Sequence, residues 1–149
     1  MAGWNGIAVA PLMATTTSAK TLLQVTAPAA TDLVVREAAI SFDGVTATDV
    51  PITVELTTTD GDGTGTSVTP VCDDRRTTNA CAATAKYSFS AEPSNPVVLR
   101  RWKIHPQGGA LLYSLPLGQP IIINRAKGVA LRVTAGASVN AAAQIAFEE

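Results

Sequence analysis

Few residues in this chain have the types and spacing that chemistry needs. Cys72 and Cys81 are its only cysteines, nine positions apart, and they bracket the polar run Asp73-Asp74-Arg75-Arg76-Thr77-Thr78-Asn79-Ala80. A disulfide closes this loop if the flanking strand ends pair; two free thiols are the alternative, and the sequence leaves both open. Such bonds persist on virion and cell surfaces and are rare in the cytosol. Structural zinc takes four nitrogen or sulfur ligands, and only His105 could join the two cysteines, so no zinc site is expected. Asp60-Gly61-Asp62-Gly63-Thr64 has the look of half a calcium loop, but position twelve of an EF-hand must be a bidentate Glu and here it is Val71. That leaves a glycine-rich hairpin loop, with a looser calcium site drawing on Asp73 or Asp74 as the alternative.

His105 is the only histidine. A lone general base needs a nucleophile or an orienting acid beside it, and neither a nucleophile elbow nor clustered acids occur in the sequence. A strand-end histidine bonded to backbone is the expectation. Trp4, Tyr87, Trp102 and Tyr113 could stack sugars, yet aromatics are 5% of the chain and Trp102 alternates with Arg100, which suits a core position as well. The residues therefore point to no catalysis, no metal and no required cofactor, and to a domain that works through its surface.

The 149 residues suit one domain. At this size folding buries roughly 68–70% of the unfolded chain's surface, enough for an independent core. Only 15% of residues are charged, against about 25% in an average soluble domain. Either neighbours cover part of the surface, or hydroxyls of a Thr- and Ala-rich domain keep it soluble. A net charge of −1, spread along the chain, argues against nucleic acid, which needs a concentrated basic face. No apolar run is long enough for a transmembrane helix. The first basic residue is Lys20, so no signal peptide is expected, and the product, if complete, is made in the cytoplasm.

Period-two alternation dominates from about Thr21 onward. Thr21–Ala27, Leu33–Phe42, Pro51–Thr58, Thr66–Cys72, Cys81–Ala91, Val97–His105, Ala110–Leu115, Ile121–Ile123, Val129–Thr134 and Ser138–Phe147 read as strands separated by turn signals. In the second, Val34, Ala38, Ile40 and Phe42 share a face on which Arg36 is discordant. In the third, Ile52, Val54 and Leu56 face in. Eight strands in two packed sheets is the jelly-roll count, so the expected fold is all-β: a jelly-roll-like antiparallel sandwich of about eight to ten strands over residues 21–149. Residues 1–20 fit neither period and read as an extended N-terminal arm. Its Trp4, Ile7, Val9 and Leu12 need a surface to lie on, and they are the expected contacts with a neighbouring subunit. On that reading, deleting residues 1–13 leaves a folded domain that no longer docks.

Several stretches together resemble a family of small virion proteins of tailed phages and prophages. They are Leu22-Leu23-Gln24-Val25 with Ala27-Pro28, Val34–Phe42 with Asp43-Gly44, Trp102–Gly109, Pro116-Leu117-Gly118, and the ending Ala146-Phe147-Glu148-Glu149. The resemblance covers about residues 20–149. It implies a capsid decoration or minor head protein of jelly-roll type, made in the host cytoplasm and carried on the virion. Its partner would be the major capsid protein, and its own state a homo-oligomer, with a trimer favoured. The alternative function is a carbohydrate- or receptor-binding module of a phage or bacterial surface.

Overall fold

Alternating apolar and polar residues put every second side chain on one face of an extended strand, and the chain folds accordingly. The structure, a computed structural model, describes residues 5–47, 49–72 and 81–149. Among the described residues there are thirteen strands and no helix. The first five are β1 (Asn5–Val9), β2 (Met13–Ala14), β3 (Lys20–Thr26), β4 (Leu33–Phe42) and β5 (Ile52–Thr59). Next come β6 (Thr64–Val68), β7 (Val71–Cys72), β8 (Thr84–Ala91) and β9 (Val97–Ile104). The last are β10 (Ala110–Ser114), β11 (Ile121–Ile123), β12 (Gly128–Thr134) and β13 (Asn140–Glu148).

These strands form two antiparallel sheets packed face to face. The seven-stranded sheet runs β10-β4-β13-β1-β7, with β11 also on β4 and β2 also on β13. The six-stranded sheet runs β6-β8-β3-β12-β5-β9. Take β1, β3, β4, β5, β9, β10, β12 and β13 as an eight-strand frame in chain order. One sheet then reads first-eighth-third-sixth and the other second-seventh-fourth-fifth, which is the pairing of a jelly roll. The expected sandwich is thus the observed one. Its strand count is higher than eight to ten because β1 and β2 form within the stretch read as an arm and because Thr66–Cys72 divides into β6 and β7.

The core lies between the sheets. Leu23, Val25, Val54, Leu56 and Leu131 from the six-stranded sheet are buried with Leu33, Val35, Ile145 and Phe147 from the seven-stranded sheet. Burying such a side chain stabilises by about 1.5–3 kcal/mol, so this interdigitated layer fixes how the sheets lie together.

The structure departs from the sequence reading at three places. First, the stretch expected as an arm is part of the sheet. β1 pairs with β13 from Asn5↔Glu148 to Val9↔Gln144, and β2 continues along the same strand through Met13↔Ala141. Gly6, Ala8 and Ala10 are its inward residues, too small to register as an apolar alternation. The domain therefore starts before residue 21. Second, the inward face of β4 changes parity. Glu37 pairs with Ala146 but Val35 with Phe147, so Arg36 is the extra residue of a β-bulge. Val35 is buried in place of Val34, while Ala38, Ile40 and Phe42 stay inward. The bulge also explains why Arg36 looked discordant. Third, Thr66–Cys72 is not one strand. Pro70 has no N–H for a ladder, and the chain passes there from the six-stranded sheet (β6) to the seven-stranded sheet (β7).

Because β1 lies between β13 and β7, deleting residues 1–13 removes a frame strand. The expected result is a loss of several kcal/mol from a total of about 5–15 kcal/mol, seen as a collapsed or sharply lowered thermal transition by circular dichroism. A truncated chain that melts like the full one contradicts this placement.

Candidate interaction face

The residues singled out by type are scattered, and most serve the fold. His105 accepts the Gln107 N–H at Nδ1 (3.1 Å), closing the turn between β9 and β10. That turn sits on the end of β4: Gly44 bridges Gln107, and a Cβ on Gly44 would meet the Pro106 carbonyl at 2.6 Å. Asp60 accepts from Lys127 Nζ (3.1 Å) and Asn95 Nδ2 (2.9 Å). Asp62 pairs with Lys86 (2.9 Å) and accepts from Thr26. Both aspartates of the glycine-rich loop are therefore matched by lysines, and among the described residues no group of three His, Cys, Asp or Glu could hold a metal. Asp73 and Asp74 lie outside the described residues, as does Trp4.

The aromatics do not form one platform. Trp102 and Tyr113 meet at the seam between the sheets, ring centroids 5.1 Å apart and tilted by 54°, and Arg100 Nε donates to the Tyr113 hydroxyl (3.1 Å). Tyr87 is on β8, separated from β9 by three intervening strands.

What remains is a surface. On the seven-stranded sheet, residues alternating with the core positions point away from the sandwich. Across β1, β13, β4 and β10 one row reads Val9, Gln144, Ala39, Leu112. The next row toward one end reads Ala142, Ser41, Ala110. On the other side, Val71 and Ile7 lead to Ala146. None of these ten side chains is charged. The central strands carry small residues, Ala39 and Ala142, while the larger Val9 (50% exposed) and Leu112 (65% exposed) flank them. The result is a trough of about 420 Å³ lined by Val9, Ala39, Ser41, Ala110, Leu112, Ala142 and Gln144, among others. Leu12, 65% exposed, follows β1. Charge lies at the two ends: the Ile7–Ala146 row continues to Glu37, which accepts from Ser114 Oγ (3.3 Å) near the Arg36–Glu148 pair, and exposed Asp43 stands past the other end of β4, bonded to Asn140.

Of the residues expected to contact a neighbour, Ile7, Val9 and Leu12 lie on or beside this face, Ile7 being half-buried. Leu112, Ala39, Ala142 and Gln144 were not singled out by the sequence. The available signal was alanine at solvent-side positions of β4 and β13, where a singly exposed sheet normally carries polar residues.

The outer face of the six-stranded sheet is different in kind. Glu55 is buried between Arg132 (2.6 Å) and Arg101 (2.7 Å). Gln24, also buried, donates from Nε2 to Thr59 Oγ1 (2.8 Å) and the Gly61 carbonyl (3.1 Å), and accepts the Gly63 N–H at 3.3 Å. The loop after β5 thus folds over this sheet at Gln24, and among the described residues no loop does the same on the seven-stranded sheet. No family model, curated protein or solved structure matches the chain. Fold and surface together define its class: an all-β jelly-roll sandwich with one uncharged, troughed face.

Burial pushes the Glu55 carboxyl up, but the hydrogen bonds and charges of Arg132 and Arg101 outweigh it and hold the group below the ordinary value of 4.5. A lowered folded value means stabilisation that is present above the unfolded value and lost as pH falls through the folded one. Glu55→Gln is therefore expected to cost about 1–2 kcal/mol at neutral pH. Its gap from the unsubstituted chain should narrow in urea titrations run below about pH 4. A gap that stays constant across that range counts against the ion-pair origin.

Proposed function

We propose that this chain is a virion structural protein, a decoration protein that docks on the outside of a tailed-phage head and cements junctions between major capsid subunits. The observation that carries the reading is the uncharged outer face of the seven-stranded sheet. Apolar faces of this kind, rimmed by polar groups, mark interaction sites. The low overall charge and the resemblance across residues 20–149 support it, and a pre-folded sandwich needs no ordering on binding.

The size of the face argues for several copies acting together. Five strands at about 4.8 Å and four residues at about 3.3 Å give roughly 320 Å², or about 8 kcal/mol of apolar burial at ~25 cal/mol per Å². Association itself costs about 4–15 kcal/mol, and a stable interface takes about 800 Å² per partner. One face alone binds weakly. A homo-oligomer, with a trimer favoured, presents several faces to a repeating lattice and gains by effective concentration. Binding to the assembled shell then stabilises it by linkage.

A second reading, a glycan- or receptor-binding module, is favoured by one feature: the half-exposed Trp102–Tyr113 pair beside Arg100. The two readings use different surfaces and separate by mutation. The expected result is saturable cosedimentation with undecorated phage shells, abolished by Val9→Lys with Leu112→Lys and unaffected by Trp102→Ala. The lysine variant should melt within about 0.5 kcal/mol of the original, since both positions are exposed. Shell binding that survives both lysines overturns the docking face, and glycan binding lost with Trp102→Ala selects the second reading.

A further inference from the structure

Apart from the docking face, the chain carries one close pair of reactive side chains. Cys72 ends β7 and pairs with Gly6 of β1. Directly opposed residues carry their side chains on the same face, with Cβ positions about 4.5–5.5 Å apart. The Cys81 sulfur fills the space on the Gly6 side of that pair, 2.7 Å from where a Gly6 Cβ would stand. A side chain at position 6 would expel it. Cys81 is held there by the end of the chain: the Glu149 carboxylate accepts the Ala82 N–H (2.6 Å) and the Ala83 N–H (2.7 Å). The two thiols are half-buried and converge on Gly6, Cys72 from the paired strand and Cys81 from the loop that follows.

We propose that Cys72 and Cys81 form a disulfide site, open in a reducing compartment and closed by a disulfide oxidant such as oxidised glutathione. In the first step one thiolate attacks the oxidant's S–S bond, forming a mixed disulfide and releasing one glutathione thiol. In the second the other cysteine displaces the remaining glutathione. One S–S bond forms in the chain, two S–H bonds are lost, and the two electrons reduce the oxidant to two thiols. Burial, the neighbouring Cys72 sulfur and the Glu149 carboxylate push the Cys81 thiol up. The bond encloses residues 73–80 and fastens β7, which otherwise meets β1 at two register positions, Gly6↔Cys72 and Ile7↔Val71. Val71 is the margin of the docking face, so closure stiffens that margin, whatever the face binds.

The test compares the full chain in dithiothreitol and in oxidised glutathione. Intact mass should fall by two hydrogens without a retained glutathione, and proteolysis should yield a peptide pair linked through Cys72 and Cys81. Closing a loop this short should raise Tm by roughly 5–10 °C. In Cys81→Ser the redox-dependent rise should vanish, with a glutathione adduct left on Cys72; Cys72→Ser, melting like the reduced chain, serves as the folding control. Glutathione retained on both cysteines, bridges between copies, or a closed bond with no rise in Tm would overturn the proposal.

Discussion

The seven-stranded sheet depends on one insertion: the last strand of the chain, β13, lies between β4 and β1. It pairs with β4 over Ala141–Glu148 and with β1 over Gln144–Glu148. The sheet is therefore incomplete without β13, and strands far apart in sequence hold each other. The residues of β13 suit this position on both sides. Inward, Ala141 and Ala143 give way to Ile145 and Phe147, so the strand thickens the core toward its own end. Outward, Ala142 and Ala146 keep the centre of the exposed face low. At the end of the strand Glu148 binds Arg36, and just beyond it Glu149 binds the backbone at Ala82 and Ala83. The Phe-Glu-Glu ending is a clasp for the sheet.

The two outer faces resolve the same problem in opposite ways. On the six-stranded sheet, polar side chains point outward and are then covered: Gln24 captures the loop after β5, and Glu55 is satisfied by two arginines. Buried polar groups are tolerable only when paired, and no buried side-chain nitrogen or oxygen among the described residues lacks a partner. On the seven-stranded sheet most outward positions are small or apolar, and among the described residues no loop folds over them as the loop after β5 does on the other sheet. Free β-sheet edges are a separate hazard, and here charge guards one of them: β9 carries Arg100, Arg101 and Lys103. The same strand also exposes Val97 and Val98 at its start, so the charged residues guard the remainder of that edge.

Much of the frame was legible from period-two patterning. β4 has the bounds read from sequence, and Ile52, Val54 and Leu56 of β5 and Val129, Leu131 and Val133 of β12 are all buried as expected. The failures have local causes. β1 was read as an arm because Gly6, Ala8 and Ala10 bury backbone and little side chain, so tertiary pairing and not alternation makes the strand. Val34 was placed inward because a bulge at Arg36 cannot be seen in a periodic pattern. The outer face of the seven-stranded sheet was half legible. Ile7, Val9 and Leu12 stood out as apolar residues without a core, but Leu112, Ala39 and Ala142 join them only through cross-strand register, which needs the fold.

Side-chain labelling by hydroxyl radicals, on the free chain and on the chain bound to undecorated shells, tests the docking face most directly, because it reads which surface is shielded. The expected result is loss of labelling at Val9, Leu12 and Leu112 on binding, with Trp102 and Tyr113 labelled as before. Shielding of Trp102 and Tyr113 with Val9 and Leu112 still exposed would contradict it and move the functional surface to the seam between the sheets.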